Sequence, residues 1–468
     1  MKKIFPFLLS TALVVVIGSL ASCTKDEVKP GEFDYVNSWI QSNMKEAYYW
    51  TDRIPVSPNK ALSPDKFFES LLAKPDDRFS WIQDNYQELL NSLQGVSKEA
   101  GYEFALYRAN STNNNVLAQI LYIKKGSPAE VAGLNRADVI DQINNTQITV
   151  DNYQTLLQAI SEPHSITYRP YNFSTNAVGP PKTLSLTTVE YAENPNFLDK
   201  VITLNNRKIG YYVYNLFSTG PTATSTQYND EMDAVFARFK AAGITDLVLD
   251  LRFNSGGAET ATVNLASLVG KGVDASKVFA KRQYNSTLTT QILNDPKFGS
   301  EFLLTRFKSK SQNVGSMLRN NRVYVLTGTR SASASELLIN GLKPFMDVFL
   351  IGAKTVGKNV GSTTIYEAND PKNKWGMQPI IVKSFNSLDQ SDYGNGFTPN
   401  IVDADNGAQL PLGDSNEKLL SLAIQHISSS GRIAIDERNM GVPLGHSYDF
   451  KNRNSDLIIS NNRLPFWK

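Results

Sequence analysis

Hydrophobic positions in this chain change their spacing from region to region, and each spacing predicts a different element. Val36, Trp39, Ile40, Met44, Ala47 and Tyr48 recur at helical intervals, and Pro55 and Pro58 stop that helix. Ser63-Pro64-Asp65 is a helix start, with Phe67, Phe68, Leu71 and Leu72 on the buried face. A third helix is expected from Asp84 to Ser92. From Gly95 to Glu190 the pattern becomes strand-rich, clearest at Val116 to Tyr122. Beyond Lys208 strands and helices alternate. Ile209 to Phe217 reads as a strand, and Tyr228 to Ala242 as a helix burying Met232, Val235, Phe236 and Phe239. Leu247 to Leu251 is a continuous apolar run apart from Asp250, as in a sheet covered on both faces. Arg322 to Leu326, Val348 to Ile351 and Gly376 to Lys383 are further strands, with helices from Ala334 to Leu342 and Glu417 to Ile427. The pattern predicts an α/β, multidomain chain: a helical region over 34–94, a strand-rich domain over 95–190 and an α/β core over 196–430. Residues 431–468 form an extension that is polar with scattered apolar positions, and no chemistry is legible there. A length of 468 residues suits about three domains.

Charge narrows the partners. The 47 basic and 45 acidic residues balance, with no basic stripe, so nucleic acid is not expected to bind. No zinc-type cluster is visible, and no metal or cofactor is expected. The start is different in character. Met1-Lys2-Lys3 precedes a mostly apolar run from Ile4 to Leu20 and then Ala21-Ser22-Cys23, a secretory signal over 1–22. The run is at the short edge of a membrane span, so an uncleaved anchor is the competing reading. Cys23 is the only cysteine and cannot form an intramolecular disulfide. Leu20 to Cys23 resembles a bacterial lipobox, whose cysteine is lipidated and becomes the mature N-terminus. Residues 23–33 would be the tether. Within them Thr24-Lys25-Asp26-Glu27 resembles the surface-export signal of Bacteroidetes lipoproteins, or is simply a solvated stretch. The expected location is the cell envelope, lipid-anchored to the outer membrane on its periplasmic or surface face.

Candidate chemistry concentrates where the Arg322–Leu326 strand meets the following helix. Ser331, Ser333 and Ser335 alternate there, and Gly357-Lys358 follows the next strand. A serine at a helix N-terminus sits beside unsatisfied N–H groups and the positive end of the helix dipole. Its hydroxyl needs a base to become a nucleophile. The histidines, His164, His426 and His446, all lie outside this segment. A lysine can take the role where an apolar site disfavours the ammonium form. The plain structural alternative is a serine N-cap and a surface lysine.

Ser331-Ala332-Ser333-Ala334-Ser335-Glu336, followed by Gly352-x-x-Thr355-x-Gly357-Lys358, resembles the carboxyl-terminal processing, or tail-specific, proteases. The resemblance implies Ser333 as nucleophile and Lys358 as base, at the family's spacing; Lys354 is four residues too early. It also implies a crotonase-like spiral of ββα units. Asp250-Leu251-Arg252-Phe253-Asn254-Ser255-Gly256-Gly257 is similar to the family's Asp-Leu-Arg-x-Asn-x-Gly-Gly, and an oxyanion hole is expected from the amides of Gly256 or Gly257 and of Ala334. Asp77-Arg78-Phe79-Ser80 is similar to a stretch near the end of the family's helical segment. Where the family commonly has a glutamine four residues after the lysine, this chain has Ser362, whose hydroxyl could orient the amine; the third member stays open.

Gly126-Ser127-Pro128-Ala129-Glu130-Val131-Ala132-Gly133-Leu134, then Asp138 to Asn144, closely resembles a PDZ domain. Such a domain adds a peptide's C-terminal strand to its sheet edge and holds the carboxylate in backbone N–H groups. That role is expected of Gly101, Tyr102, Glu103 and Phe104, opposite a helix beginning near Asn152 with Leu156, Leu157 and Ile160. The combined reading is a lipid-anchored serine endopeptidase acting on protein or peptide substrates with free C-termini. Its alternative is a non-catalytic peptide-binding lipoprotein on the same scaffold.

Overall fold

The computed structural model describes residues 31–109, 112–204, 206–222, 224–405, 410–428 and 441–447, together with the backbone of 457–458. The signal segment and Cys23 lie outside the described residues. Helices α1 (Asp34–Ala47) and α2 (Pro64–Ser70) bury Ile40, Met44, Ala47, Phe67 and Phe68 in one core with the α/β region. The next helix, α3 (Tyr86–Leu93), starts later than the pattern suggests because Asn85 accepts the N–H groups of Gln87 and Glu88 and acts as its cap.

The PDZ-like sheet is built from β1 (Tyr102–Arg108), β2 (Val116–Ile123), β3 (Val139–Ile143), β4 (His164–Arg169) and β5 (Lys182–Leu186). Its order is β5-β4-β3-β2-β1, every pair antiparallel. Helix α4 (Tyr153–Gln158) contributes Leu157 to the core this sheet shares with Phe104, Leu106, Ile120 and Ile140. A ribbon of Val96–Glu99 against Val189–Ala192 closes the two ends of the domain together.

Six strands form the main sheet of the core. They are β6 (Asn196–Leu204), β7 (Arg207–Tyr214), β8 (Asp246–Asp250), then, after β9 (Gly257–Ala258), β10 (Val278–Tyr284) and β11 (Leu304–Arg306) of a second sheet, β12 (Arg322–Thr327) and β13 (Asp347–Gly352). After β14 (Val360–Ser362) and β15 (Ile380–Asn386), also of the second sheet, β16 (Ile401–Val402) completes it. The order is β6-β7-β8-β12-β13-β16, parallel except for the β6 edge. Helices α5 (Gln227–Ala242), α6 (Glu259–Val269) and α7 (Ala334–Leu342) cover one face, and α8 (Lys418–Ser428) packs Leu419, Leu420, Ala423, Ile424 and Ile427 on the other. This two-sided burial is why β8 is buried at every position. The strand expected from Gly376 to Lys383 divides in two, because Pro379 has no N–H to give a ladder. Its first part, Gly376–Gln378, pairs with Trp81–Gln83 and fastens the helical region to the core.

At the junction of the PDZ-like domain and the core, the buried Arg252 binds Asp250 (2.8 Å), Asp405 (3.0 Å) and Glu417 (2.5 and 2.9 Å), and Arg136 reaches the same Glu417 at 3.4 Å. Burial pushes Glu417 upward, but Arg252, Arg136 and the Leu420 N–H together hold this carboxyl below its ordinary range.

The residues after α8 hold more structure than their polar pattern suggests. Strand β17 (Val442–His446) lies antiparallel on the free edge of β1, and β18 (Leu457–Ile458) sits between β9 and β14. The second sheet therefore runs β9-β18-β14-β15-β10-β11. Both strands are too short to show as a period in sequence; partner edges supply their order.

Candidate active site

Ser333 is the N-cap of α7 and holds φ 58°, ψ −109°. A non-glycine residue there costs roughly 1–3 kcal/mol, so its surroundings must impose the conformation. They do so through hydrogen bonds. Ser331 Oγ donates to Leu251 O (2.8 Å) and accepts the Gly328 N–H (2.9 Å), stapling the turn to the end of β8. Ser335 Oγ donates to Asn254 O (3.0 Å). Of the three serines, only Ser333 has no acceptor for the proton of its buried hydroxyl, whose oxygen faces the Glu336 N–H in a capping box.

The Glu336 carboxylate ties this turn to the lysine loop. Oε2 accepts the N–H of Ser333 (2.9 Å) and of Lys358 (2.8 Å), while Oε1 accepts the Gly357 N–H (2.7 Å) and the Thr355 hydroxyl (2.6 Å). The backbone nitrogens of Ser333 and Lys358 can be no farther apart than their two bonds to one oxygen allow. Burial pushes the Glu336 carboxyl upward, against the four bonds that favour its charge. Gly357 holds φ 90°, and a Cβ there would lie 2.5 Å from Gly394 O, so no side chain fits beside the lysine.

Lys358 is 1% exposed. Its Nζ lies 5.0 Å from the centroid of the Phe79 ring, whose other neighbour is the Arg78 guanidinium at 4.6 Å. Arg78 donates to Gly357 O (2.9 Å) and Gly394 O (3.0 Å). The loop carrying both is itself built: Tyr48 donates to Asp77 (2.7 Å), and the other oxygen of Asp77 accepts the N–H groups of Phe79 and Ser80. The helical region thus forms a wall of the site.

The two glycines after Asn254 differ. Gly256 already donates its N–H to Asn254 Oδ1 (3.0 Å), so it has none to offer an acyl oxygen. Gly257, with φ 128°, is pressed against the Phe217 carbonyl, which a Cβ would meet at 2.2 Å. Its backbone pairs with Leu457. Ala334 is the first residue of α7, where an N–H has no intrahelical acceptor. Ser362 is buried in β14, downstream of the lysine.

The PDZ loop divides as well. Gly101 and Tyr102 share a cavity of about 510 Å³ with Leu157 and Ile160, whereas Leu156 does not line it. Glu103 and Phe104 do not line it. Glu103 pairs with the fully buried Lys124 (2.9 Å), which also holds Glu99 (2.6 Å) and Glu193 (3.2 Å). The Phe104 N–H donates to Ser447 Oγ (3.0 Å), and that hydroxyl donates to Glu103.

Sequence reasoning missed Glu336, Asn254, Arg78 and Phe79 as site residues. One signal was available: Ser333-x-x-Glu336 is a capping-box spacing. Asn254, Arg78 and Phe79 stood inside the quoted motifs, but their contacts were not legible there: Asn254 binds Gly256 two residues on, and Arg78 reaches Gly357 across 279 residues.

Residues 208–402 match peptidase family S41, 35–81 match the peptidase S41 N-terminal domain, and 119–169 match a PDZ domain. The chain therefore carries a peptidase family S41 domain, preceded by that family's N-terminal domain and a PDZ domain. The family match spans Ser333 and Lys358, the N-terminal match includes Arg78 and Phe79, and the PDZ match leaves out Gly101 to Phe104. Among relatives, a carboxyl-terminal-processing protease of Picosynechococcus is 24% identical over 361 residues, 74% of this chain and 78% of that protein. A Staphylococcus epidermidis protein named a probable CtpA-like serine protease is 21% identical over 369 residues, 77% of this chain. The chain spans 66% of that relative's length, just under two thirds. The crystal structure of a Bacteroides fragilis protein assigned to the S41 proteases superposes with a TM-score of 0.67 at 26% identity, over 84% of this chain and 98% of that one.

Proposed function

We propose that the chain is a serine-type endopeptidase in which Ser333 is the nucleophile and Lys358 the base. One observation carries this: a buried serine hydroxyl with no acceptor for its proton at a strained N-cap, joined through Glu336 to a buried lysine. The S41 matches support it. Ser333 Oγ bonds to the peptide carbonyl carbon as the Lys358 amine takes its proton, and the oxygen's charge develops toward the N–H groups of Gly257 and Ala334. Lysine returns the proton to the departing amine, the C–N bond breaks, and water then releases the acyl group by the same steps. Ser362 is the candidate orienter of the amine. Substrates are extended polypeptides with free C-termini, selected at the β1 edge.

The test is cleavage of a quenched unstructured peptide, with the acyl or fluorophosphonate adduct mapped by mass spectrometry. The adduct is expected on Ser333. Cleavage of nothing and labelling of nothing would favour the non-catalytic peptide binder.

We also propose lipid anchoring to the outer membrane through Cys23. Cys23→Ala is expected to abolish palmitate labelling and leave the signal segment attached; unchanged labelling would remove the lipoprotein reading.

A further inference from the structure

Residues 441–447 and 457–458 lie at two places where an extended polypeptide could add a strand. On β1, the register is Val442 to Arg108, Pro443 to Tyr107, Gly445 to Leu106 and His446 to Ala105. The segment runs antiparallel toward Gly101, the end of the strand at the 510 Å³ cavity. Leu444 packs against the PDZ-like core, and Ser447 takes the Phe104 N–H. This is the geometry of strand addition by a peptide ligand. Farther on, Leu457 pairs with Gly257, and Ile458 pairs with both Ala258 and Ser362. Remove β18 and the facing edges of β9 and β14 are unpaired, with Gly257 on one side and the strand after Lys358 on the other. A cavity of about 160 Å³, walled by β1, β17 and Gly328 to Arg330 of the turn leading to Ser333, lies along the same face.

We propose that this segment is an intramolecular occupant of the substrate path, which a substrate must displace from the β1 edge and from the slot between β9 and β14. The inference rests on the peptidase reading above. A covalently attached occupant acts at an effective concentration on the order of mM, so a substrate at micromolar level competes poorly until the segment lifts. The plainer role for β17 is a cover that blunts a sheet edge. The two make opposite predictions when the segment is locked.

Arg108→Cys with Val442→Cys, in a Cys23→Ser background, gives a chain whose only thiols face each other across the β1–β17 pair. Opposed antiparallel residues lie about 4.5–5.5 Å apart at Cα, within the span of a disulfide. In the full chain, the oxidised form is expected to cleave a quenched unstructured peptide at least about tenfold more slowly in kcat/KM than the same sample after reduction. With Ser333→Ala added, the oxidised form is expected to bind a fluorescent peptide copying residues 441–458 at least about tenfold more weakly than the reduced form. Leu444→Asp, which loosens the segment without a disulfide, is expected to raise both cleavage and binding several-fold over the native chain. Equal binding by oxidised and reduced samples, or no gain from Leu444→Asp, overturns the proposal. Redox-dependent binding without cleavage by any form upholds the occupancy and overturns the peptidase reading alone.

Discussion

Ser333→Ala is expected to remove essentially all turnover, because Ser331 and Ser335 have their hydroxyls committed to Leu251 and Asn254 and cannot substitute. Lys358→Ala is expected to be nearly as severe, since general-base assistance alone is worth about 10²–10⁴-fold. Lys358→Arg is expected not to rescue: a guanidinium stays protonated and accepts no proton. The check is kcat on the quenched peptide, with circular dichroism confirming a native fold. A folded Lys358→Ala enzyme with near-normal kcat would refute the lysine's role. Two of the three histidines offer little refuge for a replacement base. His164 is bonded to Tyr102 within the PDZ-like domain, and His426, on α8 itself, packs against Tyr324 and Phe349.

The next largest effect is expected from Glu336→Gln. The carboxylate accepts four donors, two on each oxygen. An amide group replaces one oxygen with a nitrogen that itself donates, and two of the donors then face another donor. Each one left unsatisfied costs about 1–3 kcal/mol. The strained Ser333 backbone and the Lys358 backbone lose their common anchor, and a misplacement of about 1 Å can cost on the order of 10²-fold. Glu336→Gln should therefore lower kcat about 10²-fold with KM little changed, because Glu336 positions the pair and touches no substrate. Glu336→Asp keeps the charge and should recover part of the loss. A purely structural role would instead lower the folded fraction and leave kcat per folded molecule intact, as urea unfolding beside the kinetics would reveal.

The local elements of this fold were legible because their causes are local. Helix α7 was bounded correctly by the period of Leu337, Leu338 and Leu342 and by the serines before it. The apolar strand at Leu247 to Leu251 announced a sheet buried on both faces, and α8 covers the second face. Where boundaries moved, a single polar or cyclic side chain moved them: Asn85 at the start of α3, Pro379 in the middle of an expected strand.

By itself, then, the sequence determined the order of elements, the strand–turn–helix that presents Ser333, and the glycine that seats Lys358. These depend on periodicity, capping and backbone freedom within a few residues. Tertiary structure alone decided that Gly256 spends its N–H on Asn254, that Glu336 binds both halves of the proposed pair, and that Phe79, far up the chain, closes over the lysine. It alone decided that a polar stretch after α8 becomes two strands. Val442 to His446 and Leu457 to Ile458 have no strand pattern of their own; they are ordered because β1, β9 and β14 each present an open row of N–H and C=O groups.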